Sequence, residues 1–459
     1  MKKCVLGDYI LDMASGPFGS NLKVECFVPS GFPIIDGANL YGVRVTDNVT
    51  KFVTEAKAHS LSRSIAKRHD VIVTISGTLG QVAYIPSDSL YEEYLCSQRQ
   101  FRVTFDESKI DVEYLVNLLH TDYGQKKILS FANYVGVPAL SQPLPNFRRI
   151  ELELPDIEKQ HKVAKIISTI DRKIALNRKR IATLEAMAKE IYDYWFVQFD
   201  FPDAHGRPYK SSGGAMVYNP DLKREIPKGW EVRPLGDIAE VVNGATPSTA
   251  NPRNYDGDVV WITPKDLSDQ RSKFTYGGSR TISRQGYDSC STHMLPRGSI
   301  LMSSRAPIGL LSIAAVDLCT NQGFKSFVPK EIDDNLYLYY YLKEHMAQIE
   351  AMGSGTTFKE VSRESMISFP IPYVSDREVY ASFVVSAKLI FNQQELLGKE
   401  LARLSVLRDF LLPVLIQFFL PLGAPLYPVA IISSFLTITA PHFLLKQVAL
   451  LLTSSAISK

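Results

Sequence analysis

A short apolar run, Ile300, Leu301 and Met302, leads into Ser303, Ser304 and Arg305, and then into the turn residues Pro307 and Gly309. That order reads as a strand delivering a guanidinium at its end, on a backbone stiffened by the turn. A guanidinium so held could bridge a guanine edge or clamp a phosphate; equally, it could pair with an acid of its own domain and fix the turn. A second candidate is Gly353 to Ser362, with two glycines able to take positive φ, hydroxyls on Thr356 and Thr357, and Lys359. These groups suit a phosphate seat, or else a Gly-rich turn in which Ser362 caps the next element. Earlier in the chain, Val71 to Thr74 runs into Ser76, Gly77 and Thr78, a similar strand and turn without the arginine. The candidate contacts are therefore Ser304, Arg305, Thr356, Thr357, Lys359, Ser76 and Thr78.

Other chemistries lack their residues. The sequence contains no Gly-x-x-x-x-Gly-Lys-Ser/Thr phosphate loop. It has no Asn-Pro-Pro-aromatic signature of amino-group methylation, since Asn219-Pro220 is followed by Asp221 and Asn251-Pro252 by Arg253. No histidine pair has metal-ligand spacing, and Cys4, Cys26, Cys96, Cys290 and Cys319 are scattered, which suits free thiols in a reducing cytosol. Neither a catalytic residue nor a metal ligand is expected. Gly7 and Asp8 cut short any apolar core of a signal peptide after "MKKCVLGDYI". The net charge of +3 is too small to indicate a nucleic-acid partner by itself, so any electrostatic case must be local.

At 459 residues the chain exceeds what one core usually organises, and its landmarks recur in order. Leu6-Gly7-Asp8 returns as Leu235-Gly236-Asp237 and Gly80 as Gly309, both shifted by 229 (6 to 235, 80 to 309). Gln98 returns as Gln322 and Pro155 as Pro372, shifted by 224 and 217 (98 to 322, 155 to 372). A slowly drifting shift of this size marks a duplicated domain with loop insertions and deletions, not a solenoid. Each half reads as short β-branched strands with Gly, Pro and Asn turns, a middle helix, and a long terminal helix.

The terminal helices carry heptad seams. The first runs Val163, Ile167, Ile170, Ile174, Asn177, Ile181, Leu184, Ala188, Ile191 and Trp195; the second Val379, Phe383, Ser386, Ile390, Gln393, Leu397, Glu400, Leu404, Leu407 and Leu411. If they pair antiparallel about a pseudo-two-fold axis, Asn177 and Gln393 meet near the centre and fix register; the plainer alternative is that both face solvent. Arg172, Lys173, Arg178, Lys179 and Arg180 crowd the first helix, as a solvated face or a track for an acidic surface. Tyr255, Trp261, Phe274 and Tyr276 could support base readout or simply pack.

Together, "GWEVRPLGDIAEVVNGATPS", "VVWITPKDL", "LMSSRAPIGLLSIA", "NQGFKSF", "GSGTTFKEVS", "PIPYVSDRE" and the helix after "LPDIEKQHKVAKIISTIDRKI" resemble the specificity subunit of type I restriction-modification systems, over about residues 1 to 412. The resemblance implies a mixed α/β (α+β) fold: two similar globular DNA-recognition domains separated by two long helices that pair as an antiparallel coiled coil. It implies a first target-recognition domain at 1–155, a spacer helix at 156–198, an irregular connector at 199–230, a second recognition domain at 231–372 and a second spacer helix at 373–412. It further implies a non-catalytic, cytoplasmic subunit that reads a bipartite asymmetric site on double-stranded DNA. Its expected partners are methyltransferase (modification) subunits and restriction/translocase subunits. S-adenosylmethionine, ATP and Mg belong to those partners and not to this chain.

Residues 413–459 depart from the resemblance. They hold no acids, and five prolines, Pro413, Pro421, Pro425, Pro428 and Pro441, make them a poor membrane span. A frameshifted terminus, a segment buried on another subunit and a membrane anchor are the three explanations. Two rival functions also stand. One is an enzyme, a fused methyltransferase or nuclease, opposed by the absent motifs. The other is a non-catalytic DNA-binding or scaffold protein of a different complex, membrane-associated through its tail.

Overall fold

The computed structural model describes residues 2–40, 42–270, 272–305, 307–331, 333–354 and 359–417. Thr356, Thr357 and the segment after 417 lie outside the described residues. Among the described residues two compact units form: 2–175 with 402–417, and 176–401.

In the first unit, β1 (Lys2–Val5) pairs antiparallel with β6 (Glu151–Leu154), so the start of the domain is tied to the strand that precedes its long helix. The central sheet uses β2 (Ile10–Ser15), β3 (Val71–Thr74), β4 (Val82–Tyr84) and β5 (Gln100–Phe105), in the order β2-β5-β3-β4. Val71, Ile72 and Val73 are fully buried, as a β-branched run covered on both faces requires. Helix α1 (Val112–His120) packs against β4, with Asp111 capping it through the Tyr114 amide at 2.8 Å. A second sheet includes the parallel pair Ile34↔Leu95.

The second unit repeats this plan. β7 (Glu231–Pro234) pairs with β12 (Pro370–Tyr373), and β8 (Ala239–Asn243), β9 (Ile300–Ser303), β10 (Leu311–Ala314) and β11 (Phe324–Pro329) stand in the order β8-β11-β9-β10. These four follow the first sheet's order, and a fifth strand, Phe274–Thr275, is added parallel to β10. The hairpin registers agree too: Val71↔Tyr84 in one unit and Ile300↔Ile313 in the other. Both hairpins turn on a glycine with positive φ, 84° at Gly80 and 92° at Gly309, which explains why that landmark survives in both halves. The second sheet keeps its parallel pair, Trp261↔Cys319. Helix α3 (Asp334–Glu344) sends Tyr337, Tyr340 and Leu342 into the core.

Helix α2 (Ile157–Tyr192) and helix α4 (Arg377–Gln417) pair antiparallel. In the first unit the Asp171 carboxylate lies 3.5 Å from the Arg408 guanidinium. In the second, Asn177 donates to Glu400 at 2.8 Å and Gln394 donates to Glu185 at 3.0 Å. The expected fold class is what is observed. The expected meeting of Asn177 with Gln393 is corrected: Asn177 is fully buried, but its partner is Glu400, while Gln393 is exposed and the buried glutamine is Gln394. After Phe383 the buried positions run Ala387, Ile390, Phe391, Gln394 and Glu395, so Ala387 and Gln394 take the places that the seam read from sequence gave to Ser386 and Gln393.

The stretch between the domains is ordered in part. Met216–Asn219 pairs with Arg224–Pro227 as a hairpin, and Phe201 stacks between Tyr209 and Trp230, with ring centroids 4.7 and 5.5 Å away. Among the described residues no helix is long and apolar enough to cross a membrane, and no group of His, Cys, Asp and Glu could hold a metal ion.

Candidate nucleic-acid interface

The described candidates Ser76, Ser304 and Arg305 fall at one end of each central sheet, where β3 or β9 leaves and β5 or β11 enters. In the second unit the Ser304 amide donates to the Gly323 carbonyl at 2.7 Å, and the Val361 amide donates to the Ser304 carbonyl at 3.0 Å. Ser304 is thereby fully buried, its hydroxyl enclosed without a partner. Direct contact from this side chain is therefore corrected: Ser304 is scaffold. Arg305 emerges next and pairs antiparallel with Glu360. Its Nε donates to Glu360 Oε2 at 2.9 Å, while Lys325 Nζ donates to Glu360 Oε1 at 2.9 Å. Burial pushes the Glu360 carboxyl up, but the Lys325 and Arg305 charges outweigh it and hold the carboxyl below its usual range. The Arg305 side chain remains 46% exposed, so the guanidinium is anchored at one edge and open at the other. Lys359 is exposed beside this cluster in sequence.

The first unit builds the same corner from different residues. The Ile75 amide donates to the Arg99 carbonyl at 2.7 Å, as Ser304 does to Gly323, and Ser76 bridges Ala139 as Arg305 bridges Glu360. Ser76 is half-buried, Thr78 exposed. Two adjoining clefts open here. One, of about 890 Å³, is lined by Ser15, Phe18, Asn21 and Arg63 among others; the other, of about 510 Å³, by Lys51, Thr78 and Gln81 among others. Ser76, Gln98 and Arg99 line both. Arg99 was missed in sequence because only its neighbour Gln98 recurs; the residue at its place in the other half is a glycine.

The remaining candidates separate by burial. Tyr255 and Trp261 are buried, with the Tyr255 hydroxyl on the Pro247 carbonyl at 2.7 Å and the Trp261 indole on the Ala245 carbonyl at 3.1 Å. Phe274 is core, and Tyr276 donates to the Glu395 carbonyl at 3.0 Å. Tyr255, Trp261 and Phe274 thus pack within the unit, and Tyr276 is half-buried with its hydroxyl engaged. On α2, Arg172, Arg178, Lys179 and Arg180 are exposed.

The pattern that defines the type I restriction modification DNA specificity domain matches this chain twice, at residues 29–186 and 227–394, once on each unit's sheets and the helix that follows. The chain belongs to that family. It is 40% identical over 156 residues to the specificity subunit of the type I restriction enzyme MjaIX of Methanocaldococcus jannaschii, covering 34% of this chain and 36% of that one. It is 26% identical over 319 residues to the HindI specificity subunit of Haemophilus influenzae, covering 58% of this chain and 68% of that one. The first of these matches spans little more than a third of its relative's length. The crystal structure of a type I restriction-modification S subunit from M. genitalium has the same fold, with a TM-score of 0.58 at 16% identity, covering 90% of this chain and 95% of that one. As a member of the type I specificity family, the chain carries two copies of the domain that names the family.

Proposed function

We propose that this chain is the DNA-specificity subunit of a type I restriction-modification complex, each unit reading one part of a two-part, asymmetric site. The observation that carries this reading is the family's specificity pattern falling separately on both units, each built on the same strand order. In this reading the exposed ends of the two central sheets face double-stranded DNA. Arg305 and Lys359 with Thr356 and Thr357 serve the second half-site, and Ser76 and Thr78 the first. Phosphate contacts ground the protein and make binding salt-dependent, while base contacts confer sequence preference. Paired helices α2 and α4 set the gap between half-sites and dock the methyltransferase subunits, to which restriction/translocase subunits add. S-adenosylmethionine, ATP and magnesium act in those partners, and the assembly works in the cytoplasm.

Methyl transfer from labelled S-adenosylmethionine to plasmid DNA separates this reading from an enzymatic one. Label is expected in DNA only when this chain and methyltransferase subunits are combined. Label incorporated by this chain alone would make it an enzyme and overturn the assignment.

A further inference from the structure

We propose that Arg99 reads a base edge in the half-site bound by the first unit; this rests on the DNA-specificity reading above. Strand and bridge equivalences place Arg99 where the second unit has Gly323, and Ser76 where it has Arg305. The arginine has thus moved from the end of one central strand to the start of its neighbour. Its electrostatic setting differs as well. In the second unit Glu360 occupies Arg305 and Lys325 together. In the first, the corresponding positions are Ala139 and the fully buried Phe101, so the corner supplies no carboxylate. Among the described residues Arg99 has no ion pair, and it is exposed.

The surroundings suit a polyanion. Among the described residues one carboxylate lines the two clefts, Asp36, and Lys51 neutralises it at 2.6 Å. Arg63 and Lys51 lie one in each cleft, and Arg99 lines both, beside the exposed Gln98. A planar guanidinium matches guanine O6 and N7, and a carboxamide matches adenine N6 and N7, so adjacent Arg and Gln side chains carry base-reading geometry. Arg63 is placed for a flanking phosphate.

The test uses the full complex with methyltransferase subunits in cells lacking other adenine methylation, and maps modified sites for wild type, Arg99→Ala and Arg99→Lys. Both variants are expected to lose preference at one base of one half-site, by roughly ten- to hundredfold, with the other half-site and the gap unchanged. Arg99→Lys keeps the charge, so its total binding to duplex DNA should stay near wild type while its discrimination is lost. An unchanged motif in both variants overturns the proposal. So does uniformly weaker modification at every site with the same motif, the signature of a phosphate contact. A wild-type complex that assembles yet leaves no two-part motif overturns the specificity reading itself, a failure visible before the variants are compared.

Discussion

Lys273 is the most demanding single residue in the second unit. Its ammonium is buried and donates to Glu185 at 3.0 Å, Gln394 at 2.9 Å and the Tyr340 hydroxyl at 2.8 Å, and it sits 3.6 Å from the centre of the Phe391 ring. Burial pulls the ammonium down to about 8, although Glu185 opposes it. Burial also acts to raise the Glu185 carboxyl, but Lys273 and Lys343 outweigh it and hold that group at about 2. The cluster therefore ties a loop of the domain to both long helices, because Glu185 lies on α2 and Gln394 on α4. Lys273→Met strips Glu185 of its buried counter-charge and is expected to destabilise the unit by about 3 kcal/mol in urea unfolding, with most of the loss recovered on adding Glu185→Leu. The Glu185 pKa is lower folded than unfolded. Its stabilisation is thus fully present above the ordinary carboxylate range and is lost as pH falls toward about 2. Thermal melts between pH 5 and pH 2 should show a steeper loss for wild type than for Glu185→Gln; parallel curves would contradict this.

At the scale of elements, the Asn177–Glu400 layer puts polar groups into the helix pair next to the buried apolar residues Ile174 and Leu404. Asn177 Oδ1 is buried with no partner, so the layer costs stability, and register is the property it can supply in return. Replacing both residues by leucine should raise stability by about 1–2 kcal/mol while broadening the distance distribution between spin labels at Thr183 and Gln393. An unchanged, narrow distribution would remove the register role. The duplication, the hairpins and both long helices were legible because Gly80 and Gly309, and the β-branched runs before them, impose geometry through residue type. The phase of α4 was not. Ser386 and Ala387 are both small and Gln393 and Gln394 are both glutamine, so the sequence pattern alone leaves either neighbour free to face inward. The connector looked irregular because Pro, Ser and Gly dominate it, yet the stacking of Phe201, Tyr209 and Trp230 orders it through contacts far apart in the chain.

For the whole molecule, family and fold class were legible because four landmarks, Leu-Gly-Asp, a turn glycine, a glutamine and a proline, recur in a fixed order across two halves. The site was legible in outline only. Arg305 stood out beside its proline and glycine, but its carboxylate partner Glu360 lies 55 residues away in sequence, and no spacing rule announces that pairing. Arg99 stayed hidden for the opposite reason, since its distinction is the absence of such a partner. Both corners share one strand framework whose surface cations differ between copies, which suits the proposed reading of two unlike half-sites. The most direct measurement is to co-express the chain with methyltransferase subunits and map methylated adenines across a genome. One two-part asymmetric motif with a constant gap is expected; unmodified DNA despite an assembled complex, or a single continuous motif, would contradict the specificity assignment.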